Sequence, residues 1–265
     1  MKKNLPVEFF YQVFALIISI IIVHAIYVTL VRPKAAAIIE EQTIRIQQEE
    51  NYTPERSIYV LIRDFEQEAC LILALWSFAI MGFKGMQALR ERTLLQRDLV
   101  PVQEGMRILP EDTREYTRQL EALPEDLRPM LLPRALQSAL ERFGSTRNVQ
   151  DVSSISNTLC ESEGERLESE LSMIRYIAWA IPSVGFIGTV RGIGEALAQA
   201  HRAVDGDITG VTQSLGVAFN STFIALLISI VVMFLVHQLQ LLQERLVFDT
   251  QTYIDHNLIR HLKAG

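Results

Sequence analysis

Residues 181–197, IPSVGFIGTVRGIGEAL, place a proline, four glycines, a threonine and two opposite charges inside a long apolar segment. Hydrocarbon offers no hydrogen-bonding partner to such polar groups, and an unpaired charge in it costs several kcal/mol. Neighbouring helices or a wetted cavity must therefore satisfy them. This requirement constrains the fold more than any other feature, because the rest of the chain has to supply those neighbours.

Four apolar blocks are candidates for membrane spans, since a spanning helix needs roughly 20 mostly apolar residues. These blocks cover 7–31, 69–86, 172–198 and 211–242. A signal peptide is the alternative for the first block, which follows Lys2 and Lys3. Its apolar run exceeds the roughly 7–15 residues of a signal-peptide core, which favours a retained span. The predicted fold class is an all-α integral membrane protein with four transmembrane helices, the last two long and extending into the cytoplasm.

Basic residues orient the spans, because cytoplasmic loops are enriched in Lys and Arg. They precede the first span and follow the second at Lys84 and Arg90, which predicts cytoplasmic N- and C-termini and an outward-facing helical loop at 32–68. That loop also carries five basic residues, which weakens the asymmetry. Within it, Thr53-Pro54-Glu55 is typical of a helix N-terminus and predicts a helix that runs without a break from about Pro54 into the membrane.

The main soluble region is predicted between the second and third spans. Five prolines divide it into short helical pieces, and it lacks the glycine-rich phosphate loop and the clustered Lys and Arg of nucleic-acid binders. Its acidic run at 161–170 is typical of a solvated helix face, with an electrostatic contact to a partner as the alternative. The predicted divisions are an N-terminal membrane region (1–88), a small helical cytoplasmic subdomain (89–171), a channel-like hairpin (172–242) and a cytoplasmic C-terminal helix (243–265).

The sequence contains no signature of an enzyme or of a cofactor site. Its two cysteines, Cys70 and Cys160, belong to no CxxC motif or Cys/His cluster, so zinc, haem and redox chemistry are not expected. No nucleophile–base pair is visible either. We therefore expect no metal, no cofactor, no nucleic-acid partner and no enzymatic activity.

Spans three and four are joined by about a dozen residues and must pack as an antiparallel hairpin. Residues equally far before and after the loop midpoint near Asp205 then lie at similar depth. Thr189 is 16 residues before Asp205 and Thr222 is 17 after it, so their hydroxyls should lie level, well inside the bilayer. The same count pairs Pro182 with Ser229, and Arg191 with Asn220.

These positions form a candidate polar seam between the two spans. Proline frees a backbone carbonyl one turn earlier, which adds an acceptor to the seam. The alternative is helix packing alone, since small-xxx-small sequences are common at membrane helix interfaces and threonine can bond its own helix. The candidates for an ion pathway are Thr189, Thr222, Ser221, Pro182 and Ser229; those for helix packing are Gly185, Gly188 and Gly192; those for an ion pair or a partner contact are Arg191, Glu195 and Asn220.

The seam has no carboxylate near mid-membrane, since Glu195 lies toward the outer end of its span. A proton pathway needs a titratable side chain, typically Asp, Glu or His. If ions pass along this seam, the titrating group should come from another polypeptide.

Two motifs in the hairpin resemble the MotA/TolQ/ExbB proton-channel family. The sequence GFIGTVRGIGEAL at 185–197 is similar to the family's Gly-Leu-Leu-Gly-Thr-Val-x-Gly pattern, and LGVAFNSTFIALLISI at 215–230 is similar to its Ala-Leu-x-x-Thr-x-x-Gly-Leu-x-x-Ala-Ile pattern. Ala225 stands where many members have glycine. The resemblance covers about 175–242, and the four-span layout resembles MotA and ZorA more than the three-span TolQ or ExbB.

The resemblance implies a homopentamer in the bacterial inner membrane, around a pore that holds two copies of a single-span partner similar to MotB, TolR or ExbD. The partner would supply a transmembrane aspartate, and Thr189 and Thr222 would be pore-facing. Ion flow would then drive rotation or mechanical work, as in a stator. The alternatives are a non-conducting membrane scaffold and a secondary transporter, but spans one and two do not repeat spans three and four as many transporters do.

Overall fold

The computed structural model describes residues 5–48, 57–102, 106–204 and 206–263. The fold is all-α, as predicted. The helices in chain order are α1 (Leu5–Ile26), continued by a π-helical turn (Tyr27–Val31), α2 (Arg32–Gln48), α3 (Ile58–Leu61), α4 (Phe65–Arg92), α5 (Thr113–Glu121), α6 (Leu131–Thr146), α7 (Val149–Glu170), α8 (Ser172–Ala198), α9 (Ala200–Val204) and α10 (Thr209–Asn257).

Four helical stretches in the described part are long and apolar enough to cross a membrane. This confirms the prediction of four spans. Many of their large apolar side chains are exposed, including Phe14 and Ile21 of α1, and apolar surface of this kind suits contact with lipid. The helical backbone suits lipid as well, because its polar groups are hydrogen-bonded within the helix. The stretches are Glu8–Arg45, Phe65–Gln96, Val149–Ala198 and Thr209–His261.

The chain divides into two compact units. Unit 1 comprises 1–81 and 173–236, and unit 2 comprises 82–172 and 237–265. Unit 1 thus contains α1 and α8 with the first parts of α4 and α10, whereas unit 2 contains the ends of α4 and α10 with α5, α6 and α7. The four-part division drawn from the sequence remains a prediction.

Polar contacts within unit 1 attach the first span to the second. Trp76 donates its indole N–H to the carbonyl of Gln12 at 2.9 Å, and the Tyr11 hydroxyl donates to the carbonyl of Ala79 at 3.0 Å. At the other end of these spans, the buried Glu68 carboxylate accepts from Arg32 of α2. Polar groups paired in this way avoid the cost of unsatisfied groups in lipid.

The entry into α4 differs from the sequence prediction. Thr53-Pro54-Glu55 lies outside the described residues, but within the described part α3 ends at Leu61 and a new helix begins at Phe65, so an unbroken helix is wrong. The Asp64 carbonyl accepts the first bond of the new helix from Glu68, and the Gln67 side chain satisfies the carbonyl left open at Leu61. Polar side chains thus provide partners for the backbone groups that a helix break exposes.

Unit 2 has its own apolar core, which includes Phe143, Leu136, Leu140, Val152 and Ile254. A chain of alternating charges lies beside it. Buried Lys84 pairs with Glu170 at 2.6 Å, Glu170 pairs with Arg166 at 2.9 Å, and Glu163 accepts from both Arg166 and Arg134. These pairs connect α4, α6 and α7 within the unit.

Candidate functional site

Three glycines of α8 allow the backbones of α8 and α10 to approach closely. A Cβ added at Gly188 would lie 2.6 Å from Cβ of Ser221, and one added at Gly192 would lie 2.8 Å from the backbone nitrogen of Ala218. One added at Gly185 would overlap Ala225. The glycines therefore occupy the packing positions that small residues take in membrane helix pairs.

The two predicted threonines meet at this interface. Oγ1 of Thr189 and Oγ1 of Thr222 are hydrogen-bonded to each other. Oγ1 of Thr189 also lies 2.9 Å from the carbonyl oxygen of Ala218, and Oγ1 of Thr222 lies 3.1 Å from that of Gly185. Each hydroxyl thus faces a carbonyl of the opposite helix, and both side chains are only partly buried.

Oγ1 of Thr189 also lies 3.5 Å from the carbonyl oxygen of Gly185, so two hydroxyl protons serve four contacts. Two arrangements keep the bond between the hydroxyls and donate the second proton to a carbonyl of the opposite helix. In one, Thr189 donates to Thr222, and Thr222 donates to the Gly185 carbonyl. In the other, Thr222 donates to Thr189, and Thr189 donates to the Ala218 carbonyl. The Ala218 carbonyl also accepts from the Ser221 hydroxyl at 2.9 Å. In the first arrangement the carbonyls of Gly185 and Ala218 therefore both accept a hydrogen bond from a hydroxyl of α10. In that arrangement the lone pairs of Thr189 Oγ1 remain available to an incoming donor.

Pro182 and Ser229 interact through a freed carbonyl. Proline has no N–H to give to the carbonyl four residues earlier, which is that of Ala178. Oγ of Ser229 lies 3.1 Å from this oxygen and donates to it. Ser221 is buried and bonds within its own helix, to the carbonyls of Val217 and Ala218. Of the candidate pathway side chains, the two threonines are therefore the ones that contact each other.

Arg191 has a partner that the sequence did not reveal. Its guanidinium contacts Glu195 at 2.8 Å, as the i, i+4 spacing allows, but it also forms two bonds with Glu66 of α4, at 2.7 and 3.0 Å. Such a two-point contact is among the stronger polar interactions in proteins. Asn220 is half-buried on α10, and the described contacts of Arg191 go to the two carboxylates instead.

The charged cluster and the hydroxyl pair lie on different sides of α8. Arg191 and Thr189 are two residues apart, which places them about 200° apart around a helix. Arg191 reaches toward α4 through Glu66, whereas Thr189 reaches toward α10. Arg191, Glu66 and Glu195 therefore attach the second span to the third, and the hydroxyl pair joins the third to the fourth.

The described residues offer no metal site, since no group of three or more His, Cys, Asp or Glu side chains could hold an ion. Cys70 and Cys160 are both buried free thiols. Within this part of the chain, the hydrogen-bond partners of the threonine pair are hydroxyl and carbonyl oxygens. The site can therefore orient a proton or a donor group but carries no titratable group of its own.

A family model described as MotA/TolQ/ExbB proton channel family matches residues 129–252. Over this segment, which is just under half of its length, the chain is similar to that family. The match reaches from α6 through the hairpin into the last part of α10 and so extends beyond the 175–242 stretch that carries the sequence motifs. Comparisons with curated proteins and with solved structures gave no match. Together with the four apolar helices, the similarity to the MotA/TolQ/ExbB family supports a multi-pass membrane protein of the proton-channel class.

Proposed function

We propose that this chain is the stator-type proton-channel subunit of an ion-driven motor in the bacterial inner membrane. The observation that carries the proposal is the pair of hydrogen-bonded hydroxyls of Thr189 and Thr222 at the α8–α10 interface. The pair lies level in the two helices that the family match covers, and no carboxylate accompanies it among its described partners. Hydroxyls orient protons but do not titrate near neutral pH.

The titrating group comes from a partner in this proposal. Two copies of a single-span protein similar to MotB, TolR or ExbD pass through a homopentamer of this chain, and a transmembrane aspartate of the partner faces Thr189. Large apolar side chains are exposed on α8 and α10, among them Phe186, Ile187, Phe219 and Phe223. Exposed surfaces of this kind suit contacts with lipid and with neighbouring helices.

The polarity of the hydroxyl pair distinguishes the two states of such an aspartate. A protonated carboxyl can donate to the lone pairs of Thr189 Oγ1. An ionised carboxylate needs donors, and the pair can supply one only by giving up one of its own hydrogen bonds, either the bond between the two hydroxyls or a bond to a backbone carbonyl. Each neutral hydrogen bond contributes about 0.5–1.5 kcal/mol. The aspartate would therefore bind beside Thr189 when protonated and leave when ionised, which couples proton transfer to movement of the partner.

A non-conducting scaffold is the second candidate, and one observation favours it. The hydroxyls of Thr189, Thr222 and Ser229 all contact carbonyls of the opposite helix. Such bonds stabilise a helix pair without any ion flow. The scaffold would need the hydroxyls only for assembly.

Purification of the full chain with its co-purifying membrane proteins tests the proposal. We expect a pentamer by native mass spectrometry, bound to a dimer of a single-span protein with a transmembrane aspartate. Reconstituted in liposomes with a proton gradient, the complex should carry a proton flux that is lost when this aspartate is changed to asparagine. A monomeric or dimeric chain, or a flux that persists without any partner, would refute it.

A further inference from the structure

A groove in unit 2 lies between α7 and α10 and has no role in the proposed proton path. Its volume is about 310 Å³. Leu167 of α7 and Leu171, the residue directly after α7, form one side of an apolar floor. Val247 and Phe248 of α10 form the other side. Phe248 is 67% exposed, so a large aromatic ring stands at the mouth of the groove.

The spacing of the lining residues fits a third helix. On α7 and its C-terminal cap the lining positions include Gly164, Leu167 and Leu171. On α10 they include Gln240, Val247 and Gln251. Steps of three, four, seven and eleven residues fall on one face of a helix. A Cβ added at Gly164 would meet nothing within 4 Å, so this end of the groove is open. Grooves of this kind accept an amphipathic helix through anchors at i, i+3, i+4 and i+7.

Gln243 is an independent sign that the groove receives a ligand. The residue lines the groove, it is 3% exposed, and its side-chain oxygen Oε1 is buried with no hydrogen-bond partner. An unsatisfied buried acceptor is costly and rare in folded proteins. Because Oε1 itself is buried, the Gln243 side chain must turn toward the groove before a donor carried by an occupant can satisfy it.

The charged side chains around the groove indicate that the donor group of the occupant is positively charged. The exposed carboxylates of Glu168 and Glu244 also line the groove, one from each helix. Gln240 donates to one oxygen of Glu244 at 2.9 Å. Arg166, the nearest cation of α7, is engaged by Glu163 and Glu170. Acceptor oxygens around an apolar floor are complementary to Lys or Arg on an amphipathic segment.

We propose that this groove binds a basic amphipathic helical segment of the single-span partner, next to that partner's cytoplasmic membrane end. Segments within about 15–20 residues of a span are rich in Lys and Arg on the cytoplasmic side. The groove begins at Leu171, directly before α8, and at Gln240, four residues beyond the end of the unit 1 part of α10. The identity of the partner rests on the proposed function, whereas the chemistry of the occupant rests on the groove.

Site-specific photocrosslinking in cells that contain the native partner tests this inference. Phe248 is replaced by p-benzoylphenylalanine in the full chain, and the adducts are sequenced. The expected adduct is a Lys/Arg-rich peptide of a single-span protein, within about 20 residues of its span. The matched control carries the same residue at Arg142, which is exposed on α6 and does not line the groove; it should give no such adduct.

Charge variants test the chemistry. The variant Glu244→Gln should lower the yield of the adduct about threefold, because one exposed ion pair with the occupant is lost. Glu161→Gln, an exposed change on α7 outside the groove, should leave it unchanged. An adduct with a second copy of this chain, with a soluble protein or with no protein at all would overturn the inference. Proton flux is measured in a separate experiment. If the adduct is absent and the flux is retained, only the proposal for the groove is rejected. If the adduct forms without any flux, only the proton-channel function is rejected.

Discussion

Thr189 of α8 and Thr222 of α10 are 33 residues apart in sequence, yet their hydroxyls are hydrogen-bonded where the two helices pack. Each also contacts the carbonyl that lies four residues before the other, at Ala218 and Gly185. The interaction is therefore reciprocal, and it serves both packing and orientation of protons. Variants that keep the packing while removing a hydroxyl can separate the two roles.

Thr222→Val should abolish proton flux in the reconstituted complex while the pentamer still forms, because valine has nearly the same shape but cannot donate to the Gly185 carbonyl or bond Thr189. Thr222→Ser is the matched control, since it keeps the hydroxyl and should retain most of the flux. Flux is measured with a pH-sensitive dye and assembly by native mass spectrometry. Full activity in Thr222→Val would favour the scaffold.

Gly192→Ala should destabilise the hairpin by about 1–3 kcal/mol, the usual effect of extra volume in a packed interface. The new Cβ would lie 2.8 Å from the backbone nitrogen of Ala218, which cannot move aside as a flexible side chain can. Gly194→Ala is the control, because its Cβ would meet nothing within 4 Å and alanine favours a helix by about 1 kcal/mol. Thermal unfolding in detergent should therefore shift in opposite directions for the two variants.

The level of the two threonines could be predicted because a short loop fixes the register of an antiparallel hairpin. The same reasoning paired Pro182 with Ser229, and the structure joins them through the Ala178 carbonyl. It also paired Arg191 with Asn220, but depth does not specify which face of a helix a residue occupies. The depth rule therefore finds level residues, and contacts need the helical phase as well.

Glu66 could not be predicted in the same way. It belongs to α4, and no short loop connects α4 to the hairpin, so the sequence contains no count that brings it beside Arg191. The sequence does indicate that Arg191 needs a further partner, because a charge within a membrane span is costly unless it is paired, and Glu195 is itself exposed. The α7–α10 groove is of the same kind, because it depends on how distant parts of the chain pack.

Glu66→Gln should destabilise the described contact between the second and third spans more than Glu195→Gln does. Glu66 has a side chain that is 11% exposed and holds Arg191 at two points, whereas Glu195 is 47% exposed and holds it at one. We expect a loss of about 1–3 kcal/mol for Glu66→Gln and less than about 1 kcal/mol for Glu195→Gln. Arg191→Lys should behave like Glu66→Gln, since a lysine cannot reproduce the two-point contact of the guanidinium with Glu66. Equal effects of the two glutamine variants in thermal unfolding would contradict the bidentate contact.

The pH dependence of unit 2 should be set by two glutamates with opposite pKa shifts. Burial tends to raise the pKa of Glu163, but hydrogen bonds from Arg166 and Arg134 outweigh it and hold the pKa below the usual range. Burial raises the pKa of Glu91, against the hydrogen bond that its carboxylate accepts from the backbone of Leu131. The contribution of Glu163 to folding stability is therefore present at a pH above its unfolded pKa, about 4.3, and is lost as the pH falls through its folded pKa.

For Glu91 the dependence of folding stability on pH has the opposite sign, because the pKa of its carboxyl is higher in the folded state than in the unfolded state. Folding is then favoured at low pH and opposed as the pH rises past the unfolded value. At pH 7, Glu163→Gln should cost about 1–3 kcal/mol of the stability of unit 2, and Glu91→Gln should leave it unchanged or raise it. Both differences should shrink toward pH 3. Pulse proteolysis in urea at the two pH values, with cleavage in α6 and α7 read by mass spectrometry, measures them. A loss of similar size for both variants at pH 7 would show that volume and hydrogen-bond geometry, rather than charge, determine the role of these carboxylates.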